Sequence, residues 1–374
     1  MLSQICLVIF EGGLISGHLE EQMHRMRQGI VLDQIAKARN AGIDRIILCT
    51  SFPDLGRRAE EWDVEVELDH ELSQQPFHFG QRLLHIVQQH RLEKVLYMGG
   101  AAAPLVSSQE LRYIRDILDQ NENVVLANNY YSADIIGFTP GDALHQITLP
   151  KIDNSLALAL THEAGLRWIP LQRTLGLNFD VDTPTDLLIL SVHPDIGQYT
   201  KEAVGDLELD FSRFNAIKEL ANNPNGEMVL FGRVGSNLFQ YLDSQIRCRI
   251  RLFSEERGMK ALGRDQRGEV VSLMGKFVES VGFSAFFEFL GEICQGAVLD
   301  TRVLFEHFHW KLSQSDRFAS DLGEVDLITH PGLQEFTKAA MSAPIPVLLG
   351  GHSLVTGGLW ALIDAGAREG EYRS

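Results

Sequence analysis

Cysteine is scarce in this chain. There are four in 374 residues, Cys6, Cys49, Cys248 and Cys294. No two of them form a C-x-x-C pair, so neither a zinc site nor a disulfide framework is signalled. Cys6 and Cys49 lie in apolar, strand-like runs where a buried reduced thiol is expected. No apolar run reaches the ~18 residues of a membrane span, which leaves no expectation of a transmembrane helix. Positive charge is in deficit: 33 Lys and Arg stand against 50 Asp and Glu, a formal net charge of -17. That argues against a nucleic-acid backbone or an anionic membrane as the main partner. A small phosphate ligand needs only a local cluster of donors and is not excluded. The first ten residues lack the basic segment and small-residue cleavage site of a secretory leader, so a cytoplasmic location is expected. The phosphate-loop, H-E-x-x-H, EF-hand and G-x-S-x-G motifs are all missing, as are a usable Rossmann fingerprint and any internal repeat.

What the chain does have is length for two cores and an ordinary globular composition, 45% apolar and 22% charged. Its first half alternates strand and helix signals. Strand-like runs fall at Ile5 to Phe10, Arg45 to Cys49, Val64 to Leu68, Lys94 to Met98, Val124 to Ala127 and Ser132 to Phe138. Helical patterns fall at Met26 to Ala41, Gly80 to Gln89, Gln109 to Leu118 and Leu156 to Ala164. Strands separated by helices of 10–15 residues predict βαβ units: an α/β fold with a doubly wound, mostly parallel, Rossmann-like sheet. In such a sheet ligands bind beyond the carboxyl ends of the strands. The glycines at that edge are Gly12, Gly13, Gly99 and Gly100.

The stretch Phe179-Asp180-Val181-Asp182-Thr183-Pro184-Thr185-Asp186-Leu187 is the most specific signal. On an extended backbone the i, i+2 spacing puts Asp180 and Asp182 on one face, a donor set suited to Mg²⁺ or Mn²⁺. The alternative is plainer. Thr183 caps a helix that Pro184 opens, with Asp186 in the capping-box place.

Residues about 1–205 resemble the nucleotide-diphospho-sugar transferase superfamily of the GT-A type, and within it MobA-like and 2-phospho-lactate guanylyltransferase-like nucleotidyltransferases. The matching pieces are the first strand into Gly12-Gly13, the segments Leu96 to Val106 and Asn128 to Asp134, and above all Phe179 to Leu187. The resemblance implies a divalent ion on Asp180 or Asp182, and a nucleotide held near Gly12, Gly13, Gly99, Gly100 and Thr183. The chain departs from that pattern twice. Gly12 to Glu21 holds no Lys or Arg, and Ala101-Ala102-Ala103 stands where an aspartate is usual.

A linker is expected between about Pro194 and Asp210, dividing the chain into 1–205 and a smaller, more helical α/β domain at 206–374. Strand-like runs at 228–231, 248–253, 297–299 and 345–349 each lead into a polar loop. Those loops carry Arg233, Ser236, Ser254, Glu255, Glu256, Arg257, Lys260, Asp300, Arg302, His352 and Ser353. Arg233, Arg257 and Arg302 could clamp a phosphate or carboxylate, Gly350-Gly351-His352-Ser353 could bind an anion at a helix start, and His352 is the best lone acid/base candidate. The His307/His309 pair lacks a spaced third ligand. Asp316, Arg317 and Asp321 are expected in local ion pairs.

Three functions remain open from the sequence. The first is a metal-dependent nucleotidyltransferase, or a descendant without transfer activity, that uses a nucleoside triphosphate and a small phosphorylated acceptor. The second is a GT-A glycosyltransferase taking a nucleotide sugar. The third is a non-catalytic nucleotide- or phosphate-binding regulator whose ligand site lies in the C-terminal domain.

Overall fold

Apolar runs with no polar alternation need cover on both faces, and the central strands here have it. The computed structural model describes residues 4–371 apart from 14, 16, 70–76 and 206–209. Seven strands form the first sheet: β1 (Ile5–Glu11), β2 (Arg45–Thr50), β3 (Glu65–Leu68), β4 (Lys94–Gly99), β5 (Val124–Ala127), β6 (Ile135–Thr139) and β7 (Arg167–Pro170). Their order is β3-β2-β1-β4-β6-β5-β7. All neighbouring pairs are parallel except the two made by β6, which runs antiparallel to β4 and β5. Leu7, Ile9, Leu96 and Met98 face one apolar layer with Ile35, Leu111 and Ile114. Cys6, Val8, Val95 and Tyr97 face the other, with Leu83, Ile86 and Phe138. The expected α/β, mostly parallel fold is therefore the observed one.

From β1 the chain winds outward to β2 and β3, then returns to place β4 on the other side of β1. The winding reverses between β1 and β4, and in open sheets of this kind the crevice forms at that point. The Gly100 N–H donates to the Phe10 carbonyl at 2.9 Å, tying the two strand ends together.

The second sheet has four strands, β8 (Glu227–Gly232), β9 (Arg249–Ser254), β10 (Gly296–Asp300) and β11 (Val347–Gly350), all parallel, in the order β11-β10-β8-β9. Taken as 2-1-3-4 this is the other common doubly wound order, and its reversal lies between β8 and β10. β8, β10 and β11 are buried throughout, while β9 is an exposed edge.

Two compact units result, but they are not the two contiguous stretches expected. One comprises Met1–Leu14, Arg25–Asn178 and Gly197–Ala203; the other comprises Ile15–His24, Phe179–Ile196 and Val204–Ser374. The Asp180/Asp182 stretch thus groups with the second sheet. The reason is local. Thr185 Oγ1 donates to the Leu349 carbonyl at 2.7 Å, and Ser353 Oγ donates to the Asp180 carbonyl at 2.5 Å. Helix Gln198–Val204 returns to the first unit because buried Asp33 accepts from Tyr199 N, Thr200 N and Thr200 Oγ1. The expected boundary at 205/206 adjoins residues 206–209, which lie outside the described set, as do residues 1–3 of the expected N-terminus.

Other differences follow from short elements. Helix Pro53–Glu60 begins inside what reads as a polar turn, with Pro53 at its first position. β7 is a four-residue, half-exposed edge with no clear periodicity. Among the described residues no helix is long and apolar enough to cross a membrane, and all four cysteines are free and buried.

Gly100 packs against a buried carboxylate: a Cβ there would stand 2.7 Å from Glu11 Cβ. Gly100→Ala is expected to cost about 1–3 kcal/mol through overpacking. Urea denaturation checks this, and an unchanged midpoint would contradict the close approach.

Candidate functional sites at the two sheet edges

In the first unit, β1 and β4 end side by side in Glu11-Gly12-Gly13 and Gly99-Gly100. Gly13 has φ +148°, a backbone that glycine adopts without strain, and its N–H donates to Ser51 Oγ at 3.4 Å. Gly12 also closes on Ser51, with 3.1 Å from an added Cβ to Ser51 Oγ. The loop after β4 is held from helix His18–Asn40. Gln34 Nε2 donates to the carbonyls of Gly99 and Ala102, and Lys37 Nζ donates to that of Pro104. Behind the glycines lies Glu11, 5% exposed. Burial pushes its carboxyl up to about 7, against the pull of Arg27. Arg27 lies on the same helix, and its buried Nε has no hydrogen-bond partner among the described residues. The cation that acts on Glu11 thus comes from the helix rather than from the loop after β1.

In the second unit, the reversal between β8 and β10 carries a buried ion pair. Arg233, just after β8, donates from Nε to Asp300 Oδ2 at 2.7 Å and from Nη2 to Oδ1 at 3.0 Å, the two-point geometry that suits guanidinium to carboxylate. Burial alone would raise the Asp300 carboxyl, but Arg233 outweighs it and holds it below the ordinary carboxylate range. Gly232 makes this contact possible. Its φ is +116°, and a Cβ there would lie 3.1 Å from Asp300 Cγ and closer still to its Cβ.

A second pair lies beside the first. Arg302 donates to both oxygens of Asp321, at 2.8 and 2.5 Å, and its guanidinium stands 5.6 Å from the Phe305 ring centroid. Burial works against the Arg302 charge, and Asp321 more than offsets it. Asp321 therefore pairs across 19 residues rather than locally. Asp316 instead accepts from Thr329 N at 2.6 Å and from Thr329 Oγ1.

Of the three arginines expected to clamp an anion, Arg233 and Arg302 are thus occupied by aspartates. Arg257 is exposed. Glu255 caps a helix start by accepting from Leu273 N, Met274 N and Ser272 Oγ. Gly350-Gly351-His352-Ser353 does not open a long helix. One 3-10 turn follows, Ser353–Val355, and helix Gly358–Glu371 begins later. The Ser353 hydroxyl is spent on the Asp180 carbonyl. His352 is half-buried, and burial together with Arg233 pushes it down to about 3. It is a neutral imidazole at neutral pH, too weak a base for ordinary general-base work but able to give or take a hydrogen bond. His307 is structural, its Nδ1 accepting from Ser272 N at 3.3 Å.

The Asp-x-Asp stretch takes the plainer of its two readings in full. Thr183 is the N-cap of helix Pro184–Ser191, Pro184 sits in its first turn, and Asp186 closes the capping box. Asp186 Oδ2 accepts from Thr183 N, Thr183 Oγ1 and Asp182 N, while its buried Oδ1 has no partner among the described residues. Burial, and then the charge of Asp182, push the Asp186 carboxyl up to about 8. No strand leads into the motif: the short helix Leu175–Asn178 precedes it. Asp182 is exposed, and its charge acts on Lys260 and His352. As a resident metal site the donor set is short, because the described residues contain no group of three or more His, Cys, Asp or Glu placed to hold an ion.

Lys260, expected on a polar strand-end loop, and Arg317, expected in a local ion pair, are the cations of this edge that no carboxylate bonds among the described residues. Lys260 is exposed, yet the protein packed around it lowers its pKa. Arg233 adds to that effect and Asp182 opposes it. Arg317 is half-buried and its Nε is buried without a partner among the described residues. No helical or strand periodicity marks either one. Only the fold brings them to Arg233 and Arg302.

No family model matches the chain, and no curated protein sequence matches it. Solved structures that resemble it include a nucleotidyl transferase from Methanothermobacter thermautotroptrophicus, with 18% identity, 50% of this chain and 94% of that chain covered, and a TM-score of 0.38. A cytidylyltransferase from Leptospira borgpetersenii has 14% identity, coverage of 55% and 94%, and a TM-score of 0.37. A CMP:2-keto-3-deoxy-manno-octonic acid synthetase complexed with CTP has 15% identity, coverage of 50% and 96%, and a TM-score of 0.36. Likeness at this level says nothing of what this chain binds.

The buried Asp186 sets a pH dependence. Its ordinary value is 3.8 and its folded value about 8. Below the lower value both folded and unfolded chains hold the proton. Between the two only the folded chain does, so stability falls as pH rises, and the loss is complete above the upper value. Asp186→Asn should therefore gain stability relative to the parent as pH goes from about 5 to about 9. Chemical denaturation at both pH values measures this, and a constant difference would refute a buried, protonated Asp186. Asp300→Ala should cost about 3–5 kcal/mol by the same measurement, since it strands Arg233.

Proposed function

We propose that the first unit is a nucleotidyltransferase-like module that accepts a nucleoside triphosphate at the β1/β4 edge, next to a small phosphorylated acceptor. The observation that carries this reading is the meeting of two glycine loops at the reversal of winding, with Arg27 behind them. Gly12 and Gly13 leave the backbone open to close approach by a ligand. Arg27 supplies a cation whose guanidinium can engage phosphate oxygens at two points. Phosphoryl transfer demands positioning and charge neutralisation more than covalent help from the protein. A half-buried cation beside glycines meets that demand.

Mg²⁺ or Mn²⁺ belongs to this proposal only as a companion of the nucleotide's phosphates. Such ions commonly use one or two carboxylates and complete their shell with phosphate and water. No step is assigned to the ion.

A thermal-shift panel of the four common nucleoside triphosphates, each with and without Mg²⁺, tests the reading. A triphosphate at a hundred times its dissociation constant should stabilise the chain by about 2.7 kcal/mol. Arg27→Met should abolish the response. If no triphosphate moves the melting temperature, or if Arg27→Met responds like the parent, the proposal fails.

A further inference from the structure

We propose a second, separate ligand site at the β8/β10 reversal: a crevice that binds a small dianionic phosphate compound, such as a phosphate monoester, through Lys260 and Arg317. It does not depend on the function proposed for the first unit.

The case begins with charge. Four cations gather here: Arg233 follows β8, Arg302 follows β10 and bonds Asp321, Arg317 stands one turn before Asp321 on the same helix, and Lys260 lies in the loop after β9, whose Glu255 N–H donates to the Gly232 carbonyl. Two are answered at hydrogen-bond distance, Arg233 by Asp300 and Arg302 by Asp321. Lys260 and Arg317 are not; neither side chain has a hydrogen bond or ion pair among the described residues, and the buried Arg317 Nε has no acceptor. The remaining carboxyls do not make up the difference. Asp186 is engaged in its cap with Thr183, and Glu306, whose carboxyl burial pushes up, makes no hydrogen bond or ion pair to either cation among the described residues. Asp182 is exposed and acts on Lys260 only at a distance. Two cations with no bonded counter-ion suit one dianion, and a phosphate monoester carries about that charge at neutral pH.

Position supports charge. The reversal point of a doubly wound sheet is where such folds open a crevice beyond the strand ends. Lys260 is reachable by solvent at that edge. The neutral imidazole of His352, coupled to Arg233, Lys260 and Asp182, can donate a hydrogen bond to a phosphate oxygen without adding charge. The Arg233–Asp300 and Arg302–Asp321 pairs then act as fixed walls. They hold the two guanidinium groups in place, leaving Lys260 and Arg317 to meet the ligand.

Isothermal titration of the full chain with inorganic phosphate and with glycerol 3-phosphate tests this. Both should bind, glycerol 3-phosphate at least as tightly, and affinity should fall as salt rises. Lys260→Met and Arg317→Lys should each weaken binding, the first by about tenfold or more. Lys260 is exposed, so its replacement leaves the core intact, and circular dichroism of that variant should match the parent. No binding of either phosphate by the parent would overturn the proposal. So would undiminished binding in Lys260→Met. Malonate binding as tightly as glycerol 3-phosphate would overturn the assignment to phosphate.

Discussion

Asp300 has no exposure at the carboxyl end of β10, and a buried carboxylate must be answered by charge and hydrogen bonds or give up its ionisation. Much of the second unit's edge follows from that demand. Arg233 answers it at two points, which requires β8 to end beside β10. The approach of the two strand ends requires a residue without Cβ at 232. Once Arg233 is fixed there, its charge adds to burial in pushing His352 and Lys260 down. A buried pair of this kind is weak evidence for stability, since desolvation can offset its attraction. Its value here is positional. It fixes a guanidinium at the reversal of winding, and neighbouring groups take their protonation from it.

The first unit meets the same constraint with a different balance. Glu11 ends β1 as Asp300 ends β10, and each lies next to a reversal of winding with a glycine pressed against it. Arg27 influences Glu11 without a direct bond to it, so burial prevails and the carboxyl is raised. Arg233 bonds Asp300 directly, so attraction prevails and the carboxyl is lowered. Two similar arrangements thus give opposite protonation because one arginine is within hydrogen-bond reach and the other is not.

Those contrasts explain what the sequence disclosed. Strands such as Ile5 to Phe10 and Val124 to Ala127 were legible because a continuous apolar run bounded by turn residues has few other homes. The glycine loops at 12–13 and 99–100 were legible as edge positions because the alternation of strands and helices sets which ends share an edge. The partner of Arg302 was not legible. Asp321 is 19 residues from Arg302, and nothing in spacing distinguishes its role from that of Asp316, which binds Thr329 instead. The unit boundary was hidden for a similar reason. Thr185 and Asp33 each assign a segment through hydrogen bonds to residues more than 150 positions away.

The Phe179 to Leu187 stretch shows how a single pattern divides between roles. Its spacing satisfies a metal clamp and a helix cap equally well, because both ask for oxygen atoms in a short run. The cap is made by Thr183 and Asp186, whereas the metal reading concerns Asp180 and Asp182. Asp186 must be buried to close the capping box, and a buried carboxyl with one unpartnered oxygen keeps its proton. Asp182, one turn earlier and exposed, raises Asp186 further by its own charge while drawing on Lys260 and His352. The stretch therefore contributes a cap inside the fold and one free carboxylate outside it. That carboxylate faces the cationic edge of the second sheet, where it tempers Lys260 without neutralising it.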